Sequence, residues 1–167
     1  DRSVSRGLGD VYKRQIDNDI WEQEIVKVGE IGHKDEDHVV RGSTPESLAE
    51  LRTAFGPESL VTAGNASGVV DGAAAVVIKS ASKAAEDGDE PLAKIISWGI
   101  VGLEPAIMAY GPVPSSKKAL DKADLTIDDI DRWEINEAFA GQAVACIKDL
   151  GLDISKVNVN GGAVGIG

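Results

Sequence analysis

Apolar and polar positions along this chain change period several times, and each change marks an element. Over 21–28 the pattern alternates loosely through Ile25, Val26 and Val28, which predicts a strand leading into a polar loop over 29–42. Thr44-Pro45-Glu46 reads as a helix start: Thr44 caps, Pro45 takes the first helical position and Glu46 lies at the positive end of the dipole. Leu48, Leu51 and Phe55 keep helical spacing until Gly56-Pro57 stops it. The run over 73–78 is continuously apolar and predicts a buried strand. A short helix follows over 80–87, ended by Gly88, and a second apolar strand runs over 93–101. Gly111-Pro112-Val113-Pro114 breaks the chain, and Ser115 is expected to cap a helix that runs to Ala123. A turn over 126–130 and a short strand over 132–135 lead to a helix over 137–150. Phe139, Ala143, Cys146, Ile147 and Leu150 share one face of that helix. Gly151 ends it, and the last strand spans 156–160. Strands alternating with helices predict an α/β fold with a mixed, mostly parallel sheet and helices packed on it.

Composition narrows the classes. The 167 residues suffice for one packed domain or two small ones, and 43% hydrophobic content with 19 glycines is ordinary for a globular chain. A formal charge of −11 argues against nucleic acid, whose phosphates would be repelled. The single cysteine excludes an intrachain disulfide and suits a reducing compartment, so a cytoplasmic location is expected. No apolar run approaches the roughly 20 residues of a membrane span, and no signal peptide is visible. Residues 1–15 read differently from the rest, with four of the 17 basic residues and two of the 28 acidic ones. This stretch resembles translated adapter sequence and is set aside from the fold as non-native, a flexible native tail being the alternative. At the other end Gly167 falls inside a glycine turn rather than in a polar linker, so an internal piece of a longer protein is expected.

The chemistry gathers where strands end in polar or glycine residues, because α/β sheets bind ligands outside the carboxyl ends of their strands. Asn136-Glu137-Ala138-Phe139-Ala140 ends one strand and opens a helix, and Asn158-Val159-Asn160-Gly161-Gly162-Ala163 ends the next in a glycine-rich turn. The Asn136 amide offers N–H donors where backbone amides converge, which suits a carbonyl oxygen becoming an oxyanion. Taken singly, an Asn there reads as a helix cap. The small-residue loop over 61–68 precedes a strand, and taken alone its Ser67 reads as a turn serine. His33 and His38 fall among Lys34, Asp35, Glu36 and Asp37, a setting that reads as a solvated loop rather than a metal site. Cys146 sits on the apolar stripe of a helix and reads as core, with burial raising its pKa.

Taken in order, these segments resemble the thiolases, which exchange acyl groups between coenzyme A thioesters. The resemblance runs from about Trp21 to Gly167 and rests on motifs that follow in order: residues 48–55, residues 61–75, Glu104-Pro105-Ala106-Ile107-Met108, Gly111-Pro112-Val113-Pro114 and the two C-terminal turns. It implies that Asn136 belongs to an oxyanion hole, acting through a bound water. It also implies that Ser67 hydrogen-bonds the pantetheine arm, and that Phe55, Met108, Ala138 and Phe139 line the ligand. For Phe139 and Met108, core packing remains the other reading. Acyl transfer would proceed through a Cys acyl-enzyme, with a His base and a second Cys shuttling a proton. In the family these three residues lie before or after the residues present here. The segment alone is therefore expected to be inactive.

The resemblance further implies coenzyme A thioesters as substrates, no separate cofactor, no metal, and a dimer or tetramer. The domain organisation it implies is 16–68 as the end of the loop region of an N-terminal half, 69–89 as that half's last strand and helix, and 90–167 as an incomplete C-terminal domain. Gly165 departs from the family, which usually has Ala there. Two other classes stay open: a non-catalytic acyl-CoA- or lipid-binding relative, and an α/β structural module with a worn-out pocket.

Overall fold

A computed structural model describes residues 44–70 and 72–166. The expected strand over 21–28, His33, His38 and residues 1–15 lie outside that range. The described chain forms five α-helices: α1 (Pro45–Ala49), α2 (Ala81–Asp87), α3 (Pro112–Ala123), α4 (Ala140–Leu150) and α5 (Ala163–Ile166). Three 3-10 helices intervene, at Pro105–Tyr110, Ile127–Asp129 and Ile154–Lys156.

The core lies between α3, α4 and the two extended segments on either side of α4. Val113, Ile135, Cys146, Ile147, Leu150, Leu152 and Val157 are buried together, and Ile127 and Trp133 pack against them. Sequence spacing dictates the helical part, since Ala143, Cys146, Ile147 and Leu150 recur at intervals of three and four and so share one face. Gly151, at φ 67°, ends α4 in a left-handed turn that returns its N–H to Ile147 and Lys148. The chain then comes back alongside residue 133. Trp133 N donates to Lys156 O at 2.9 Å, and Asn158 N donates to Trp133 O at 2.8 Å, making one parallel bridge between Trp133 and Val157. This is a right-sized βαβ crossover, reduced to its central pairing.

Several elements differ from the pattern reading, for identifiable reasons. α1 keeps its Thr44 capping box but stops at Ala49, because Thr53 bridges Thr62 and Ala54 N donates to Val61 O at 2.7 Å. That pairing turns the chain back before Phe55, so tertiary contact overrides the helical spacing. α3 begins at Pro112, three residues before Ser115. The Ser115 hydroxyl instead donates back to Gly111 O at 2.7 Å from within the first turn. Pro112 is acceptable at that first position, since it has no N–H to leave unpaired. The helix expected from Glu137 starts at Ala140, since residues 138–140 are engaged with another segment. The glycine turn is followed by the helical turn α5.

Among the described residues, the runs 73–78 and 93–101 form no ladder. They contain no turn or bend and take part in no bridge. The second run is nevertheless held across α3. Ser97 Oγ donates to Ala119 O at 2.6 Å, and Lys118 Nζ and Lys122 Nζ donate to the carbonyls of Ile100 and Trp98. Gly99 lies so close to the α3 backbone at Ser115 and Ala119 that no side chain fits. Among the described residues no helix is long and apolar enough to cross a membrane.

Candidate active site

Two short extended segments meet at the N-terminus of α4. Ser67 N donates to Ala138 O at 3.0 Å, Ala140 N donates to Asn65 O at 2.8 Å, and Ala66 bridges Phe139 in antiparallel sense. The Asn65 carbonyl therefore satisfies a first-turn N–H of α4, whose N-cap Phe139 has no side chain able to accept one. Asn65 can do this because its side chain builds the loop around it: Oδ1 accepts from Thr62 N at 2.8 Å and Nδ2 donates to Leu60 O at 2.8 Å. Above this junction the Phe55 and Phe139 rings meet edge to face, centroids 6.4 Å apart.

The residues just before Ala138 alternate in the manner of a strand. Ile135 and Glu137 point inward and are buried, whereas Asn136 between them is exposed. The inward Glu137 carboxylate is 1% exposed, a costly place for a charge unless its oxygens are occupied. One oxygen accepts from Asn158 Nδ2 at 2.8 Å and the other from Val164 N at 3.2 Å. Asn158 is buried as well. Its Oδ1 accepts from Ile135 N and its Nδ2 also donates to Ile135 O, both at 2.8 Å. Asn158 has φ 45°, a left-handed conformation that Asn tolerates better than most residues. It turns the chain into Gly161, at φ 97°, and so into the glycine-rich turn.

Of the six residues proposed from sequence, this arrangement joins four. Phe55 touches Phe139 through the ring contact, and Ser67 is hydrogen-bonded to Ala138 through backbone. Asn136 lies two residues upstream on the same extended segment. Among the described residues neither its side-chain amide nor the Ser67 hydroxyl has a hydrogen-bond partner. Met108 sits apart, on the 3-10 helix Pro105–Tyr110 that packs against α4, with its side chain largely exposed. Cys146 is fully buried, and desolvation pushes its thiol above the ordinary range; Gln142 Nε2 donates to its sulfur at 3.6 Å. Such a thiol is shielded and a poor nucleophile.

Pattern reading passed over Glu137, Asn158 and Asn65 as contributors in their own right. For Glu137 a signal was present: with period two, the residue two places after the apolar Ile135 falls on the same inward face. For Asn158 there was none, because its side chain acts on Ile135 and Glu137, more than twenty positions away; the Asn65 side chain acts locally, and only its carbonyl reaches the distant Ala140.

The chain is similar to known proteins along both of its halves. Residues 12–82 match the thiolase N-terminal domain and residues 89–167 the thiolase C-terminal domain. The acetyl-CoA acetyltransferase of Rhizobium meliloti is 51% identical over 139 residues, covering 83% of this chain and 35% of that protein. A 3-ketoacyl-CoA thiolase of Marinobacter nauticus is 51% identical over 138 residues, covering 80% of this chain and 35% of its own length. The crystal structure of human mitochondrial 3-ketoacyl-CoA thiolase in complex with CoA superposes with a TM-score of 0.88 at 39% identity. That match covers 99% of this chain and 42% of the human one. The chain thus spans well under two thirds of the length of the relatives it matches. By motif order, by both family domains and by fold, the chain belongs to the thiolase family.

Proposed function

We propose that this chain is part of an enzyme that transfers acyl groups between coenzyme A thioesters, by condensation of acetyl-CoA or thiolysis of a 3-ketoacyl-CoA. The observation that carries the reading is the Asn136 amide, exposed and unengaged among the described residues, on an extended segment whose neighbours on both sides are buried. An amide so held donates to a carbonyl oxygen, directly or through a water, as charge develops on it. Ser67 pairs with Ala138, two residues from Asn136, and Phe139, three residues from it, carries the ring contact to Phe55, where an elongated pantetheine arm would run. Met108 would contact the acyl end from the 3-10 helix. The names of the relatives, and the coenzyme A complex of the human one, support thioester chemistry.

The acyl-accepting thiol is a residue other than Cys146, which is fully buried. The proposal therefore places the nucleophile, the base and the rest of the pocket in parts of a longer protein. It also places there the strands that complete a mostly parallel sheet, of which the Trp133–Val157 bridge is one pairing. Residues 90–167 would form the C-terminal domain, joined through 69–89 to the end of the N-terminal half. Assembly as a dimer or tetramer belongs to the same proposal.

Steady-state thiolysis tests it. A chain of the relatives' full length carrying this segment turns over, and the 167 residues alone do not. Asn136→Ala in the longer chain lowers kcat by about 10²–10³-fold with KM little changed, as loss of other oxyanion donors does. Unchanged kcat would remove Asn136 from the reaction.

A further inference from the structure

Acyl transfer as proposed assigns no task to Glu137 or Asn158, although they are the two buried polar side chains among the described residues. We infer that Glu137 is a positioning residue for acyl transfer: with Asn158 it clamps the residues on both sides of Asn136 against the glycine turn and so sets the direction of the Asn136 amide. The inference rests on the reading of Asn136 given above.

Its geometry starts from the parallel pairing of the two segments flanking α4. Backbone bonds join Trp133 to Lys156 and to Asn158, and there the second segment leaves the ladder, because Asn158 adopts φ 45°. The ladder does not end with it. A side-chain amide carries the same C=O and N–H groups as a peptide, and the Asn158 amide takes both backbone groups of Ile135 at 2.8 Å. The same Nδ2 reaches on to the Glu137 carboxylate. One side chain therefore grips residues 135 and 137, and residue 136, facing the opposite way, has little freedom left in its backbone.

Glu137 extends the clamp to the glycine turn. Its second oxygen accepts from Val164 N, and Gly162 lies so close to the carboxylate that an added Cβ would collide with it. A carboxylate is the group that fits, since both its oxygens accept and two N–H donors converge on it. An isosteric amide has one oxygen for two donors and would turn its own NH2 toward the other. Asp is one methylene too short to span the same gap. The pair of turns that the sequence brings into one motif each is thus locked into a single body by a buried, fully occupied polar network.

The test uses a chain of the relatives' full length carrying this segment. Glu137→Gln, Asn136→Ala and the double variant are compared in thiolysis of a short 3-ketoacyl-CoA, with thermal unfolding as the control for folding. Glu137→Gln is expected to lower kcat by about 10- to 100-fold, as a misplacement on the order of 1 Å does, with KM within about twofold. In the Asn136→Ala background the same change is expected to cost less than about twofold more, since the residue it positions is gone. An unchanged kcat in Glu137→Gln, a loss expressed only in KM, or a loss that multiplies fully with Asn136→Ala overturns the inference and leaves the role of Asn136 standing. An unchanged kcat in Asn136→Ala overturns the reading of the site and the inference with it. Should Glu137→Gln fail to fold, Gly162→Ala enters the same cycle, because its methyl group displaces the carboxylate without changing its charge.

Discussion

Val113 and Val157 are 1% and 2% exposed, while Val76 and Val77, equally apolar and in an equally apolar stretch, are 84% and 88% exposed. The first pair belongs to the body around α3 and α4, the second to the run over 73–78. In the body, each apolar stripe meets another one close in sequence: α4 crosses over the segments it connects, and α3 lies against it. The run 73–78 has no second surface beside it among the described residues, so its hydrophobicity finds nothing to bury against. Residues 93–101 fall between these cases. The segment is pinned to α3 through Ser97, Lys118, Lys122 and Gly99, yet Ile95, Ile96 and Ile100 remain exposed. Apolar content marks a segment for burial, but the burial itself depends on what the fold sets against it.

Core truncation probes this difference most strongly. Leu150→Ala removes a side chain that is 4% exposed and is expected to destabilise the chain by about 2–5 kcal/mol in urea unfolding. Val77→Ala should stay within about 0.5 kcal/mol. Equal losses from the two would break the comparison.

A smaller effect separates the helices. Gly151 and Gly88 end α4 and α2 in the same left-handed conformation, at φ 67° and 73°, and an added Cβ meets nothing at either site. Both Ala substitutions therefore carry only the backbone penalty of about 1 kcal/mol. Gly151→Ala is expected to lower the global unfolding free energy, because α4 is part of the core. Gly88→Ala should instead speed hydrogen exchange within α2 alone, where only Ala84 is buried.

The smallest effect is a pH dependence. The Asp129 carboxylate is held below its ordinary range by the Thr126 hydroxyl, and then by the Thr126 N–H, in a capping box just before the buried strand-like segment. Because its folded pKa lies below the unfolded one, its contribution is present above the unfolded carboxylate pKa and is lost as pH falls through the folded one. Asp129→Asn should flatten the acid limb of the unfolding profile slightly, and an unchanged limb would remove Asp129 from the body's acid sensitivity.

The legible part of this protein was local. Thr44, Ser80, Gly88 and Gly151 mark helix ends within a few residues of where they fall, because caps and left-handed turns depend on neighbours within one turn. The buried face of α4 was legible for the same reason, since helical period alone puts Cys146 with Ile147 and Leu150. The candidate site was legible as motifs, and Asn136, Ser67 and Phe139 could each be singled out. Their meeting could not. The Ala66–Phe139 bridge joins residues more than seventy positions apart, and it also decided that α4 starts at Ala140 rather than at Glu137.

By itself, then, the sequence determined the caps at Thr44 and Ser80, the glycine ends at Gly88 and Gly151, the apolar stripes and the family to which the motifs belong. Tertiary structure alone decided which stripes are buried, that Glu137 and Asn158 face each other, and that Asn136 is left pointing outward between clamped neighbours. Caps and periodicity are set by contacts a few residues long, whereas burial of the Glu137 carboxylate requires donors at Asn158 and Val164, 21 and 27 residues away, that only the folded chain can bring to it.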